Sequence, residues 1–469
     1  MDATSALAKN MVGVKYEDLP LDVVEHTKKQ VLDILGVALG GSSKAGIKEL
    51  VEIISDWGGK EESTIFCFGK KVPTPNAAQA NASMAHALDY DDTGDGPTHQ
   101  SVITVPTALA MAERQGRVSG KEFITTVALG ADMMGRLGLA FRSGKKTASV
   151  AGHIGGGWHL TALYGYFAAA GIAGRLLGLD EEKMLNALGI AYHQSAGNGQ
   201  CVTEGALTKR MGPGFSVRGG IVAALMAEKG ITGAHDALEG EVGLFNLYHK
   251  GEYDAAPLTA DLGKRFMGIN ALMKPYPCCK GTHAYVELAE AMVKKHGIKP
   301  EDIKEITVYN EDDKYVLLSP VEQRRQPKNP VDSQFSIIWA VAAVFAKGKA
   351  GIGEFTEAAI KDEAILDISR KVKVAADKNV GEKKGQIPAK ISVILKSGKA
   401  INEQAFADGT SADAGAEKPL PFADYERKFR DCAAYAVKPR TPKQIEQIIT
   451  LVKDLEKVKD ITELVKLLN

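Results

Sequence analysis

The sequence predicts a mainly α-helical protein with a smaller α+β portion inserted ahead of its last helices. Apolar residues recur at helical spacing up to about residue 265. Alternation characteristic of strands then appears, and helical spacing returns in the C-terminal segment. With 469 residues the chain exceeds one ordinary core. The expected division is a discontinuous all-helical domain, residues 1–265 and 411–469, and an α+β lid domain with antiparallel strands, residues 266–410.

The first expected helix, Leu21 to Leu39, sets Val24, Val31, Leu32, Ile34 and Leu35 at helical spacing. Alanine-rich patterns follow over Ala77 to Ala87, Val105 to Arg114, Glu122 to Leu139 and Trp158 to Leu177, then Glu182 to Ala191 and Ser216 to Glu228. Gly116 and Gly230 suit the left-handed caps that end such helices. Ile303 to Val308 and Arg370 to Val374 alternate as strands, and Lys390 to Leu395, Ser397-Gly398 and Lys399 to Ala405 spell a β-hairpin. Helices are expected between them at Thr282 to Lys295 and Ser336 to Phe345. The tail from Tyr425 to Leu468 is helical again, with Ile445, Ile448, Ile449, Val452 and Leu455 on one face. No internal repeat or low-complexity segment interrupts the pattern.

Composition narrows the function. Hydrophobic residues make up 45% and charged residues 25%, as in soluble globular proteins. Lys plus Arg equals Asp plus Glu at 58 each, so no basic face is expected for nucleic acid, and little charge keeps protomers apart. Cys67, Cys201, Cys278, Cys279 and Cys432 are too few and scattered for a disulfide framework and fit a reducing cytosol. The N-terminal segment lacks a basic start followed by an apolar run, and no stretch approaches the ~18 apolar residues of a membrane helix. A cytoplasmic enzyme is the expectation.

Four segments could carry chemistry. His86-Ala-Leu-Asp89-Tyr-Asp91-Asp92-Thr93, followed by His99, gathers carboxylates and imidazoles at a helix end. Asp89 and Thr93, four apart, share a face if that helix continues. His99 can then act as a general acid or base oriented by an aspartate; the alternative is capping and surface charge, with His86 a satisfied core histidine. Gly152-His153-Ile-Gly155-Gly156-Gly157-Trp158-His159 runs into a helix start, where backbone N–H groups suit an anion. His159 in the first turn would be held neutral, able to donate to an oxyanion or take a proton; the alternative is a glycine turn for close packing. Thr208-Lys209-Arg210-Met-Gly212-Pro-Gly214 offers two cations suited to carboxylates, or a solvated surface pair. Lys274-Pro-Tyr276-Pro277-Cys278-Cys279-Lys280-Gly-Thr-His283 adds further cations on a stiff loop near the domain junction.

Neither G-x-G-x-x-G after a strand nor G-x-x-x-x-G-K-[ST] occurs, and Cys-Cys adjacency is poor ligand spacing for zinc. What remains is proton chemistry. Removing a proton beside a carboxylate builds up negative charge that pre-placed cations and hydrogen-bond donors would stabilise.

HALDYDDT with His99, GWHLTALYG, the Lys209 segment, KPYPCC with His283, and SQFSIIWAVAAVF together resemble the MmgE/PrpD family. They lie in the family's order over almost the whole chain, through the terminal DITELVKLL. The family includes 2-methylcitrate and citrate dehydratases, cis-aconitate decarboxylases and iminodisuccinate epimerases. The resemblance implies a helical domain, an α+β lid, a cleft between them, a homodimer, and no metal or organic cofactor. It places Asp89, Thr93, His99, His159, Lys209 and Lys274 in the active site. His99 and His159 are then the proton-transfer candidates, and Asp89 fixes an imidazole or a ligand hydroxyl. Lys209 and Lys274 hold substrate carboxylates, with Arg210, Lys280, Thr93 and His283 also binding substrate.

Two departures bear on the reaction. Gly212 stands where many members carry histidine, and Cys279 where the decarboxylases carry one. The breadth of the family puts a hydro-lyase acting on citrate or 2-methylcitrate first and a dicarboxylate epimerase second, and Cys279 lowers a cis-aconitate-type decarboxylase to third. Two readings from other classes stand beside it. Asp91-Asp92-Thr-Gly-Asp95 spells the D-D-x-x-D of magnesium-dependent isoprenoid synthases, but no second copy occurs, and the spacing fails for an EF-hand because Gln100 occupies its twelfth position. A non-catalytic binding protein is the other, encouraged by Gly212.

Overall fold

The structure is a computed structural model describing residues 2–94, 98–144, 157–378, 380, 386–408 and 420–469. The described residues are mainly helical with a smaller α+β portion, as the change of period predicts. They divide into two units: Met1–Gly199, Arg210–Met273 and Leu420–Asn469 in the first, Gln200–Lys209 and Lys274–Pro419 in the second.

The first unit begins with α1 (Ala3–Gly13), α2 (Leu21–Gly41) and α3 (Ile47–Trp57), then an antiparallel ribbon of β1 (Ser63–Thr64) and β2 (Lys71–Val72). It continues through α4 (Thr74–His86), α5 (Ser101–Gln115), α6 (Gly120–Gly144), α7 (Leu160–Leu176) and α8 (Glu181–Gln194). The short α9 (Gln200–Glu204) groups with the second unit, as do the first two residues of α10 (Thr208–Glu228). After α11 (Leu244–His249) and α12 (Ala256–Thr259), the second unit holds α13 (Lys280–His296), β3 (Ile303–Asn310), α14 (Val321–Arg325) and α15 (Pro330–Gln334). It goes on with α16 (Ile337–Lys347), α17 (Glu363–Arg370), β4 (Val372–Ala376), β5 (Gln386–Leu395) and β6 (Ala400–Asp408). The chain then returns to the first unit as α18 (Phe422–Ala433), α19 (Pro442–Lys453) and α20 (Thr462–Leu467).

In the first unit α7 is the central helix. Its residues Leu160 to Gly174 are buried all round, and it packs against α5, α6 and α8. A helix apolar on every face has no solvent side. Small residues let neighbours come close: a Cβ on Gly220 of α10 would stand 2.7 Å from the Tyr166 carbonyl oxygen. The returning α18 lies along α2, pinned by Lys428. Its Nζ is 2.8 Å from Asp33 Oδ1 and donates to the Tyr90 carbonyl at 2.7 Å. The same ammonium sits 3.9 Å from the Tyr90 ring centroid.

In the second unit the sheet order is β4-β3-β5-β6. β3 and β5, and β5 and β6, pair antiparallel, while β4 runs parallel to β3. The parallel pair adds to the expected antiparallel set. A long excursion through α14 to α17 separates β3 from β4, and only such a crossover allows parallel pairing. α13 packs across β5 and β6, and α16 is apolar on all faces and buried from Ile337 to Phe345. Ser336 caps α16 by accepting from Trp339 N at 2.9 Å, and Gly348 ends it with φ 75°.

Element boundaries differ from the sequence pattern where glycine, proline or a cap obscures it. α10 starts at Thr208 rather than Ser216, because Gly212, Pro213 and Gly214 blur its first turns. β4 starts at Val372, since Arg370 still belongs to α17. α1, α3 and the ribbon have no counterpart among the expected elements. Replacing Lys428 by Met leaves the Asp33 carboxylate, 1% exposed, without its buried cation. The expected cost is about 3 kcal/mol, read as a lowered Tm in thermal denaturation.

Candidate active site

The site begins where α4 ends. Ala87 caps the helix, and Asp89 takes a left-handed conformation with φ 50°. Aspartate tolerates this region better than most residues. The helix therefore does not continue, and Asp89 and Thr93 do not share a helical face as the spacing alone would have it. Instead the chain turns back on itself. Asp91 Oδ2 comes to 2.8 Å from His86 Nδ1 and 3.3 Å from His99 Nδ1. Thr93 is held by main-chain hydrogen bonds in both directions with Leu272.

His99 is fixed from three sides. Its Nδ1 is 2.6 Å from the Asp92 carbonyl oxygen, and its main-chain N–H donates to Thr161 Oγ1 at 2.9 Å. A carbonyl can only accept, so Nδ1 carries the proton, and Asp91 provides a second acceptor beside it. In the neutral imidazole the lone pair then lies on Nε2.

Asp92 has a different task. Its carboxylate accepts from the main-chain N–H of Gln100 and Ser101, at 3.1 and 3.2 Å, at the start of α5. Gln30 Nε2 donates to its other oxygen at 3.2 Å. Burial raises its pKa to about 7, with the neighbouring charge of Asp91 adding to the effect. Asp91 and Asp92 are thus a histidine-bonded carboxylate and a buried helix cap. Asp95 of the D-D-x-x-D reading lies outside the described residues, as do Gly152, His153, Gly155 and Gly156 of the glycine run. Among the described residues no group of three or more His, Cys, Asp or Glu is placed to hold a metal ion.

His159 is the N-cap residue of α7, one position ahead of the first turn expected from the sequence. Its N–H donates to the Gly197 carbonyl at 3.2 Å. The ring stacks on His86, centroids 5.5 Å apart, and His86 meets His99 edge-on at 5.1 Å. His86, itself buried, is therefore the middle member of a row of three imidazoles, with Asp91 alongside. A Cβ on Gly212 would stand 2.8 Å from His159 Nδ1, so the absence of a side chain there lets α10 approach the ring.

In the second unit, Lys209 Nζ lies 5.0 Å from the centroid of Phe335. The preceding residue, Gln334, accepts at its carbonyl from Cys279 N at 2.9 Å. The Gln334-Phe335 dipeptide thus touches both the Lys209 segment and the Lys274–His283 loop. Lys274 is buried, Lys280 opens α13, and His283 Nε2 donates to the Cys278 carbonyl at 3.1 Å. Arg210, in the first unit, donates from Nη1 to the Ala45 carbonyl at 2.9 Å. That bond ties one guanidinium nitrogen of Arg210 into the fold.

His86, Asp91 and Asp92 stand in the first sequence segment without an assigned role, and Phe335 has none there either. The available signal was the five-residue interval from His86 to Asp91 across a helix end, which a turn can close.

Two outcomes follow. Gly212→Ala should displace the His159 ring and lower turnover by roughly 10-fold or more while the far-ultraviolet circular dichroism is unchanged. Folded Asp92 keeps its proton to about pH 7, whereas an unfolded aspartate releases it near pH 4. The folded state binds more protons in that window, so stability falls as pH rises through it. Asp92→Asn should reduce the drop in Tm between pH 5 and pH 8 by several degrees.

Comparison with known proteins identifies the family. The model of the MmgE/PrpD N-terminal domain matches residues 5–256, and that of the MmgE/PrpD C-terminal domain matches residues 276–455. The chain is 26% identical to a cis-aconitate decarboxylase of Aspergillus terreus (strain NIH 2624 / FGSC A1156) over 97% of its own length and 93% of that protein. It is 28% identical to the cis-aconitate decarboxylase of Homo sapiens, covering 99% of this chain and 94% of the relative. A likeness of 23% to the cis-aconitate decarboxylase-like protein oryM of Aspergillus oryzae spans 100% of this chain and 97% of that one. No helix among the described residues is long and apolar enough to cross a membrane. With both family domains matched in order along its length, the chain belongs to the MmgE/PrpD family.

Proposed function

We propose that this protein is a lyase that moves a proton at a carbon beside a carboxylate of a small di- or tricarboxylate, most readily as a hydro-lyase of the citrate or 2-methylcitrate type. The observation that carries this reading is the pinning of His99: Nδ1–H between the Asp92 carbonyl and Asp91 leaves the lone pair on Nε2, the arrangement of a general base. His99 Nε2 takes the proton from carbon, the C–H electron pair moves into the adjacent carboxylate, and the new double bond forms as the hydroxyl leaves. His159 supplies the proton that turns the hydroxyl into water. Lys209 and Lys274 hold the substrate carboxylates and lower the cost of the added negative charge. Asp89 and Thr93 orient the substrate hydroxyl, with Arg210, Lys280 and His283 completing the binding set by resemblance to the family. The five free cysteines support a reducing, cytoplasmic setting, and family resemblance supports a homodimer.

A second reading is decarboxylation of a cis-aconitate-type acid, favoured by the full-length likeness to proteins of that name. There the C–C bond to the departing carboxylate breaks, carbon dioxide leaves, and a histidine delivers the proton to carbon. Cys279, where the resemblance expects the decarboxylases to carry a histidine, favours dehydration over it.

Proton NMR in deuterium oxide, with citrate, 2-methylcitrate, cis-aconitate, malate and iminodisuccinate offered in turn, separates the outcomes. A vinyl signal from a hydroxy acid supports the hydro-lyase. Loss of a carboxylate from cis-aconitate supports the second reading, and deuterium exchange without elimination indicates an epimerase. Unchanged spectra with all five acids would sink the proposal. With whichever acid turns over, His159→Ala should lower kcat by roughly 100-fold or more.

A further inference from the structure

His86 lies at the centre of the imidazole row yet has no step in the reaction above. It is 1% exposed, its Nδ1 is 2.8 Å from Asp91 Oδ2, and its ring meets His99 and His159 at 5.1 and 5.5 Å. The same carboxylate oxygen serves His99 at 3.3 Å. A buried carboxylate shared by two imidazoles constrains both rings, and a charge gained by one member of a close-packed row is felt by the next.

We infer that Asp91 and His86 are a positioning unit for the two proton-transfer histidines: Asp91 orients His86 and His99 through their Nδ1 atoms, and His86 couples the protonation of His99 to that of His159. The inference rests on the proposed roles of His99 and His159. Its physical content, the coupling itself, is separate from the identity of the substrate. No atom of Asp91 or His86 need touch the reacting carbon. In a cycle where His99 gains a proton as His159 gives one up, the net charge of the row is constant. A shared neighbour between them keeps either histidine from becoming charged while the other still is.

The charged and titratable groups around His86 are few. Asp89, Asp91 and Asp92 come from the loop after α4, His99 precedes α5, and His159 precedes α7. Asp33 of α2, paired with Lys428 of α18, adds its charge to that of Asp91 at Asp92. The charged residues of α3 (Lys48, Glu49, Glu52 and Asp56) are exposed, and those of α5 (Glu113 and Arg114) lie in its last turn. α10 also packs against α4 at Gly214 and against His159 at Gly212, and carries the buried Arg210, whose Nη1 donates to the Ala45 carbonyl. Among the described residues the row therefore has its close carboxylate neighbours on the loop side, with the charged residues of α3 exposed and those of α5 at its far end.

The test is a pH titration of the full-length protein labelled with 15N-histidine, followed by NMR, for the wild type and for His86→Gln and Asp91→Asn. In the wild type the His99 and His159 signals should share an inflection with the His86 signal. In His86→Gln that shared inflection should vanish from both curves. In Asp91→Asn the 15N shifts of His86 should move from the Nδ1–H tautomer towards a mixture, because Asp91 is the acceptor for its Nδ1. The pH–rate profile of the acid that turns over should change shape in both variants, with kcat lowered about 10-fold and KM within about 2-fold, the pattern of lost transition-state positioning. Independent single inflections for His99 and His159 in the wild type would overturn the inference, whether or not either variant folds. So would a His86→Gln protein whose two curves match the wild type. Absence of turnover with every acid would count against the proposed function, while the wild-type titration would still decide the coupling.

Discussion

Everything in the first unit is arranged around two adjacent carboxylates taken out of water. Asp91 and Asp92 are both essentially inaccessible, and a buried carboxylate is tolerable only where hydrogen bonds or opposite charge replace its hydration. The chain provides these from separate elements. His86 at the end of α4 and His99 ahead of α5 answer Asp91, while the first N–H groups of α5 and Gln30 of α2 answer Asp92. Asp33, next along α2, needs a cation of its own and takes Lys428 from α18. The charges that give the site its chemistry are thus the ones that fix where the helices stand. Activity and architecture share the same bonds.

The second unit shows a related economy with different chemistry. Lys209 approaches the face of Phe335, and the neighbouring Gln334 main chain holds Cys279. The two cationic segments therefore depend on one short helix end. The helix is capped at its start by Asn329, whose side chain accepts from Asp332 N at 3.0 Å, and is followed by the wholly buried α16. An aromatic face beside an ammonium stabilises the cation without neutralising it.

Much of this was legible in the sequence. Helical spacing located the long helices, and the Ser397-Gly398 turn located the hairpin, since both follow from local periodicity and turn chemistry. His99 and His159 stood out because imidazoles beside carboxylates or glycine-rich helix starts are uncommon. His86 was harder to assign. A histidine inside an alanine-rich helix reads as core until the left-handed turn at Asp89 folds Asp91 back on it, and that turn is set by tertiary packing rather than by any local signal. The parallel pairing of β4 and the grouping of Gln200–Lys209 with the second unit are long-range outcomes of the same kind. The Arg210 bond to the Ala45 carbonyl is likewise a contact that no spacing could reveal.

The Lys428–Asp33 pair also has a consequence for how the chain is made. The helix that neutralises Asp33 is synthesised almost 400 residues after it, at a stage when the second unit is already complete. On the ribosome, therefore, the segment written in the middle can finish folding before the one begun first, whose core must wait with a buried acid exposed until its last helices emerge. A chain ending before residue 420 would lack the ammonium that faces Asp33.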